Sequence, residues 1–164
     1  MEPWAPADER AVATQLQRPP RGAVGVAHRC SCGLPTVVVT PPQLPDGTPF
    51  PTMYYLTCPR LNAALSTLEA QGFMREQAQA LVADAALSQE YQRAHERYLI
   101  ERGSLGDVPQ IAQVSAGGMP DRVKCLHALA AQSLACGPGV NPVGDAALAA
   151  IGSWWDAGPC VAAP

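Results

Sequence analysis

Five consecutive residues, Thr36-Val37-Val38-Val39-Thr40, constrain this chain's fold more than any other stretch. All five are β-branched. Such side chains lose rotamer freedom in a helix and pack well on a pleated surface. The run predicts a strand. It is followed by residues 41–51, which hold five prolines and the pair Asp46-Gly47, and which read as an irregular loop. Thr52-Met53-Tyr54-Tyr55-Leu56-Thr57 predicts another strand, and the short apolar stretch from Ala23 to Arg29 predicts one before the run. The three strands are expected to form a small antiparallel meander.

The remainder reads as helix, with five to six helices in all. Residues 6–17 form a first helix ended by Pro19-Pro20 and Gly22. Leu61, Leu65 and Leu68 share one helical face, with Gly72 as a stop. Met74, Ala78, Leu81, Val82 and Ala85 mark the next helix. Ser88 is the expected cap of a further one, which carries Tyr91, His95, Tyr98 and Leu99 and ends at Gly103. The stripe Tyr91, His95, Tyr98, Arg102 reads as a packing face with polar tips, with a pocket lining as the alternative. Residues 103–119 form a long connection, with an extended piece at Gln110 to Val114. Pro120 suits the first turn of a helix running to about Cys136, and Asn141 caps a last one through Ile151. The apolar tail, residues 153–164, is expected to dock on the body. The pattern is α+β, one domain over residues 1–164, with residues 1–22 as N-terminal helix and entry.

Charge narrows the function classes. The 164 residues carry a formal net charge of −3, so no general attraction to nucleic acid is expected. No apolar run of about eighteen residues occurs, so no membrane span is expected. Met1-Glu2-Pro3-Trp4 lacks the apolar core of a signal peptide. These features predict a cytoplasmic protein whose six cysteines stay reduced. Clustered thiols in a reducing compartment favour metal binding or catalysis over disulfides.

Cys30 and Cys32 fall in the turn between the first two strands, and Cys58 follows the third. A meander brings the three to one end of the sheet. A tetrahedral zinc site needs a fourth ligand, for which Cys125, His127 and Cys160 are candidates. On a regular helix, Cys125 and His127 point to nearly opposite sides, so only one of them is expected to face the cluster. An iron–sulfur cluster is the alternative to zinc, and small buried thiols without metal are the plain alternative to both. Cys136, between Leu134-Ala135 and Gly137, reads as core filler.

Ser115 through His127 is the densest chemical stretch, and it includes Lys124, the chain's single lysine. Gly117 and Gly118 precede the expected helix start, with Arg122 and Lys124 close behind. Free N–H groups and two cations there would hold a phosphate or carboxylate. The alternative is a glycine turn beside two solvated cations. Cys125 near a helix start could also be nucleophilic, with His127 or His95 as base. Two function classes follow. One is a binding or regulatory protein with a thiolate metal site. The other is an enzyme acting on a phosphorylated or carboxylated small molecule, using Arg122 and Lys124 with Cys125 or His127.

Several segments together resemble an actinobacterial family, domain of unknown function 501. They are Arg29-Cys30, Leu44 through Thr52, Tyr55 through Pro59, His95 with Tyr98-Leu99, Ser115 through His127, and Gly137 through Asn141-Pro142 with Gly144-Asp145. The resemblance spans nearly the whole chain. It implies no established activity. It implies gene neighbours resembling a septum-formation initiator and an exopolyphosphatase, hence a link to cell division. It also implies that histidine can replace Cys58, which suits a metal ligand and not a disulfide. Relatives often carry histidine where this chain has Gln132, so the resemblance implies no essential role for that position.

Overall fold

A computed structural model describes residues 1–161. In chain order the elements are β1 (Glu2–Pro3), α1 (Pro6–Leu16), β2 (Gly25–Arg29), β3 (Pro35–Val39), β4 (Tyr54–Leu56), α2 (Pro59–Ala70), α3 (Phe73–Ala83), α4 (Ala85–Gly103), a 3-10 turn at Pro109–Ile111, α5 (Leu126–Cys136) and α6 (Pro142–Ile151). The architecture is α+β. The meander is present, but the sheet has four strands in the order β1-β2-β3-β4, each antiparallel to its neighbour. The extra strand is the two-residue β1, paired through Glu2 and Val26. It is too short to leave a period-two signature in the sequence.

The β-branched run is buried along its whole length because β3 is covered on both faces. Val37 and Val39 join the main core with Leu126, Leu129 and Ala130 of α5. Val38 faces the other way, toward Val12 and Leu16 of α1. Burying each valine contributes about 1.5–3 kcal/mol. Helix α5 is the centre of the molecule, packed on the sheet, α2 and α6. It is apolar nearly all round, as a fully enclosed helix must be.

Two helix starts differ from expectation. Asp84, not Ser88, caps α4, and its carboxylate accepts from the Ala86 and Leu87 N–H groups at 2.9 and 3.2 Å. Helices α3 and α4 meet at that one residue, leaving no room for a later start. Helix α5 begins at Leu126, not at Pro120. Gly117 and Gly118 take positive φ (71° and 95°) and fold the chain into a loop. The Lys124 N–H then returns to the Gly117 carbonyl at 2.7 Å, and that of Arg122 to Gly118 at 2.9 Å. Where an extended piece is expected at Gln110 to Val114, the chain makes a 3-10 turn at Pro109–Ile111 followed by a further turn. Asn141 does cap α6, accepting from Gly144 N–H at 2.9 Å.

The stripe on α4 is a packing face. Tyr91, His95, Tyr98 and Arg102 are all buried, and each anchors a loop. The Tyr91 hydroxyl donates to the Arg122 carbonyl at 2.9 Å, and His95 Nδ1 lies 2.9 Å from Ser115 Oγ. The Tyr98 hydroxyl donates to the Pro51 carbonyl, and Arg102 to those of Pro51, Ile111 and Val114. The long connection between α4 and α5 is thus held along its length, and it delivers Cys125 to a defined place.

Candidate functional site

Glu69, Cys125 and His127 converge where α2 meets the start of α5. Their ligating atoms all lie within 4.8 Å of one another, and among the described residues no other His, Cys, Asp or Glu trio does so. Asn62, Ser66 and Glu69 occupy one face of α2, at spacings of four and three. Cys125 is the N-cap of α5, with an extended backbone (φ −154°, ψ 107°), and His127 lies in the first turn. Because Cys125 is outside the helix, the opposite-sides rule for i and i+2 does not apply. Both side chains face Glu69.

The geometry is close. Cys125 Sγ lies 3.8 Å from His127 Nδ1, and Nδ1 lies 3.2 Å from Glu69 Oε1. That oxygen also accepts the Leu126 N–H at 2.8 Å, a carboxylate at a helix N-terminus. His127 Nε2 is 3.2 Å from the Asn62 carbonyl, which can only accept, so Nε2 carries a proton. The Ser66 hydroxyl lies 3.3 Å from the same nitrogen. Burial alone would push the Cys125 thiol up, but the hydrogen bond to His127 and the Ala128 N–H bring it below its ordinary value. The Cys125 sulfur raises the His127 pKa to about 9 against its burial, and the Glu69 charge adds to the rise.

Cys125 and His127 border an open cleft of about 420 Å³ that also meets Leu16, Tyr54, Tyr55 and Leu56. A smaller apolar hollow of about 140 Å³, between α1 and the sheet, has two arginines at its rim and no nucleophile or metal ligand.

Among the described residues, the thiols expected to gather at one end of the sheet supply no trio of sulfurs within 4.8 Å of one another. Cys30 and Cys58 are buried and Cys32 and Cys160 half-buried, and Gln15 Nε2 donates to Cys160 Sγ at 3.3 Å. Cys125 and His127 belong instead with Glu69. Cys136 is half-buried, with its sulfur 3.5 Å from the Tyr54 hydroxyl. All six cysteines are free. Gly117 and Gly118 form the loop before Cys125, and the Arg122 and Lys124 side chains are exposed beside it. The N–H groups of Arg122 and Lys124 are taken by that loop's own carbonyls. Glu69 escaped the sequence reading. Its one signal was being the sole acidic residue of α2.

A family model described as a protein of unknown function, DUF501, matches residues 26–149, well over half of the chain. The chain belongs to the DUF501 family. The matched stretch contains Glu69, Cys125 and His127, together with Cys30, Cys32 and Cys58, and ends before Cys160. No curated protein and no solved structure matches the chain. No helix among the described residues is long and apolar enough to cross a membrane.

Proposed function

We propose that this DUF501 chain is a cytoplasmic metal-binding protein in which Glu69, Cys125 and His127 hold one divalent cation. One observation carries the reading: three donors of different chemistry meet around one point. Tetrahedral zinc, with Zn–S of about 2.3 Å and Zn–N of about 2.0 Å, separates sulfur from nitrogen by roughly 3.5 Å and nitrogen from oxygen by roughly 3.3 Å. The pairs here stand at 3.8 and 3.2 Å. The proton on Nε2 leaves Nδ1 as the ligand, and the Asn62 carbonyl orients the ring from behind, as metal-binding histidines require. A thiolate, a carboxylate and a neutral imidazole supply two negative charges, which match one divalent ion. The mixed N, O and S set suits zinc better than magnesium or calcium. The cleft beside Cys125 and His127 leaves a fourth position for water or a ligand. The role is binding or regulation. Its link to cell division rests on the family resemblance alone.

A second reading is favoured by the depressed Cys125 thiol and the raised His127. It is a thiolate–imidazolium pair acting as a nucleophile on a small molecule in the cleft. Metal analysis and zinc titration of untagged protein separate the two. The first reading expects zinc binding that Glu69→Gln, Cys125→Ser and His127→Gln each weaken by at least about tenfold. Unchanged affinity in all three variants, with Cys125 selectively alkylated at mildly acidic pH, would leave only the nucleophile.

A further inference from the structure

The apolar hollow between α1 and the sheet takes no part in the metal site, and its walls come from three separate parts of the chain. Val38 of β3 and Tyr55 of β4 stand directly opposite each other, so their side chains share the sheet face beneath it. Val12 and Leu16 of α1 close it from above, and Leu44 and Phe50 of the loop 41–51 close one side. Gly22, with φ +67°, lets that loop come close. A Cβ there would stand 3.1 Å from Pro45 Cδ.

Size limits what can enter. The hollow measures about 140 Å³. An apolar cavity of about 150 Å³ holds one benzene ring and stays dry without it, because water needs several polar partners. The Phe50 and Tyr55 rings border the space, with centroids 6.3 Å apart and planes 37° from parallel. They offer a guest ring the tilted contacts that aromatic groups favour.

The mouth has the opposite character. Arg18 and Arg21 stand at its rim. Arg18 donates through Nη2 to the Tyr55 hydroxyl at 3.2 Å and through Nη1 to the Pro19 carbonyl at 3.3 Å. The Tyr55 hydroxyl accepts there, so it keeps its own proton to donate. Among the described residues neither guanidinium forms an ion pair. Asp46 lies near enough to feel the Arg21 charge, but its carboxylate accepts from the Thr48 N–H at 2.9 Å. Inside, Thr40 follows Val38 by two residues and so shares its face. It is 3% exposed and lines the hollow, and its hydroxyl has no hydrogen-bond partner among the described residues. A buried hydroxyl without a partner is unfavourable, and a polar atom on a guest would supply one.

We propose that this hollow binds a monocyclic aromatic carboxylate. The ring lies against Val12, Val38 and Phe50. The carboxylate meets the Arg18 and Arg21 guanidinium groups and the Tyr55 hydroxyl, and Thr40 meets a hydroxyl on the ring. A planar guanidinium suits a carboxylate through two parallel N–H donors. The site is a binding site, and it does not depend on metal at Glu69, Cys125 and His127.

Titrating full-length protein with para-hydroxybenzoate, followed by calorimetry and backbone amide NMR, tests this. Amide shifts should centre on Val38, Thr40 and Tyr55. Benzyl alcohol, a ring without charge, and acetate, a charge without a ring, should each bind at least about tenfold more weakly. Arg18→Gln with Arg21→Gln should weaken para-hydroxybenzoate by at least about tenfold and leave benzyl alcohol unchanged. Thr40→Val should weaken para-hydroxybenzoate but not benzoate. Ala23→Leu fills the hollow, so it should abolish binding while melting no lower than wild type. Both arginines are exposed, so their double variant keeps the test intact if Ala23→Leu fails to fold. Zinc uptake should be the same in the double variant as in wild type, so this proposal and the metal reading can each fail alone. Binding that survives the double substitution, or a folded Ala23→Leu variant, would overturn the proposal. So would an equal response to acetate at matched ionic strength, or amide shifts that spare Val38, Thr40 and Tyr55.

Discussion

Replacing Arg102 with methionine should unfold the connection that carries Cys125 to the site. The Arg102 side chain is buried, with the residue 3% exposed, and it faces carbonyls rather than a carboxylate. It donates to Val114 at 2.5 Å, Ile111 at 2.6 Å and Pro51 at 3.2 Å. Burial lowers its pKa, but a guanidinium stays protonated at neutral pH. Each hydrogen bond from a charged donor contributes about 1.5–3 kcal/mol, and the three share one group, so the sum overstates the loss. Methionine fills the volume and leaves three carbonyls without their donor. We expect a loss of about 4 kcal/mol, which in a domain of this size is a melting-temperature drop on the order of 10 °C. Arg102→Lys should fall between, because one ammonium cannot span three carbonyls in the same fork. Thermal unfolding followed by circular dichroism gives the number, and hydrogen exchange of residues 104–125 gives the location. A methionine variant melting within about 2 °C of wild type would refute the reasoning, since water or a backbone shift would then be satisfying those carbonyls as well as the guanidinium does.

Further outcomes follow from packing and charge. Asp8 accepts two hydrogen bonds from Arg29, at 2.7 and 3.1 Å, which hold its carboxyl below the ordinary 3.8 in spite of its burial. A depressed carboxylate stabilises the fold above its unfolded pKa and loses that effect as pH falls through the folded value. Asp8→Asn should therefore cost about 2 kcal/mol near neutral pH, and the gap to wild type should close as the pH drops below that range; a gap that persists in acid would contradict the assignment. Gly144 lies where α6 crosses α5, and a Cβ there would collide with the Leu129 carbonyl and Ser133 Oγ. Gly144→Ala should destabilise by about 1–3 kcal/mol in urea unfolding, whereas Gly103→Ala, whose Cβ meets nothing within 4 Å, should be neutral or stabilising.

Much of the fold was legible along the chain because its causes are local. Steric preference placed Thr36 to Val39 in a strand, the loss of N–H donors made 41–51 a loop, and Asn141 capped α6 through atoms three residues apart. The expectation for α5 failed at Pro120, because the Gly117-Gly118 loop hydrogen-bonds to itself before the helix can begin. That late start makes Cys125 a cap rather than a helical residue, and so lets it share a side with His127. No local pattern announces that a lone glutamate on α2 will stand beside them, 58 residues away from His127. Nor does any pattern announce that Arg60 will fasten carbonyls 97 and 99 residues further on. Residue chemistry alone determined which side chains could serve as ligands. Which of them meet was decided by the packing of α5 on α2, because contacts between distant segments depend on the whole core having formed.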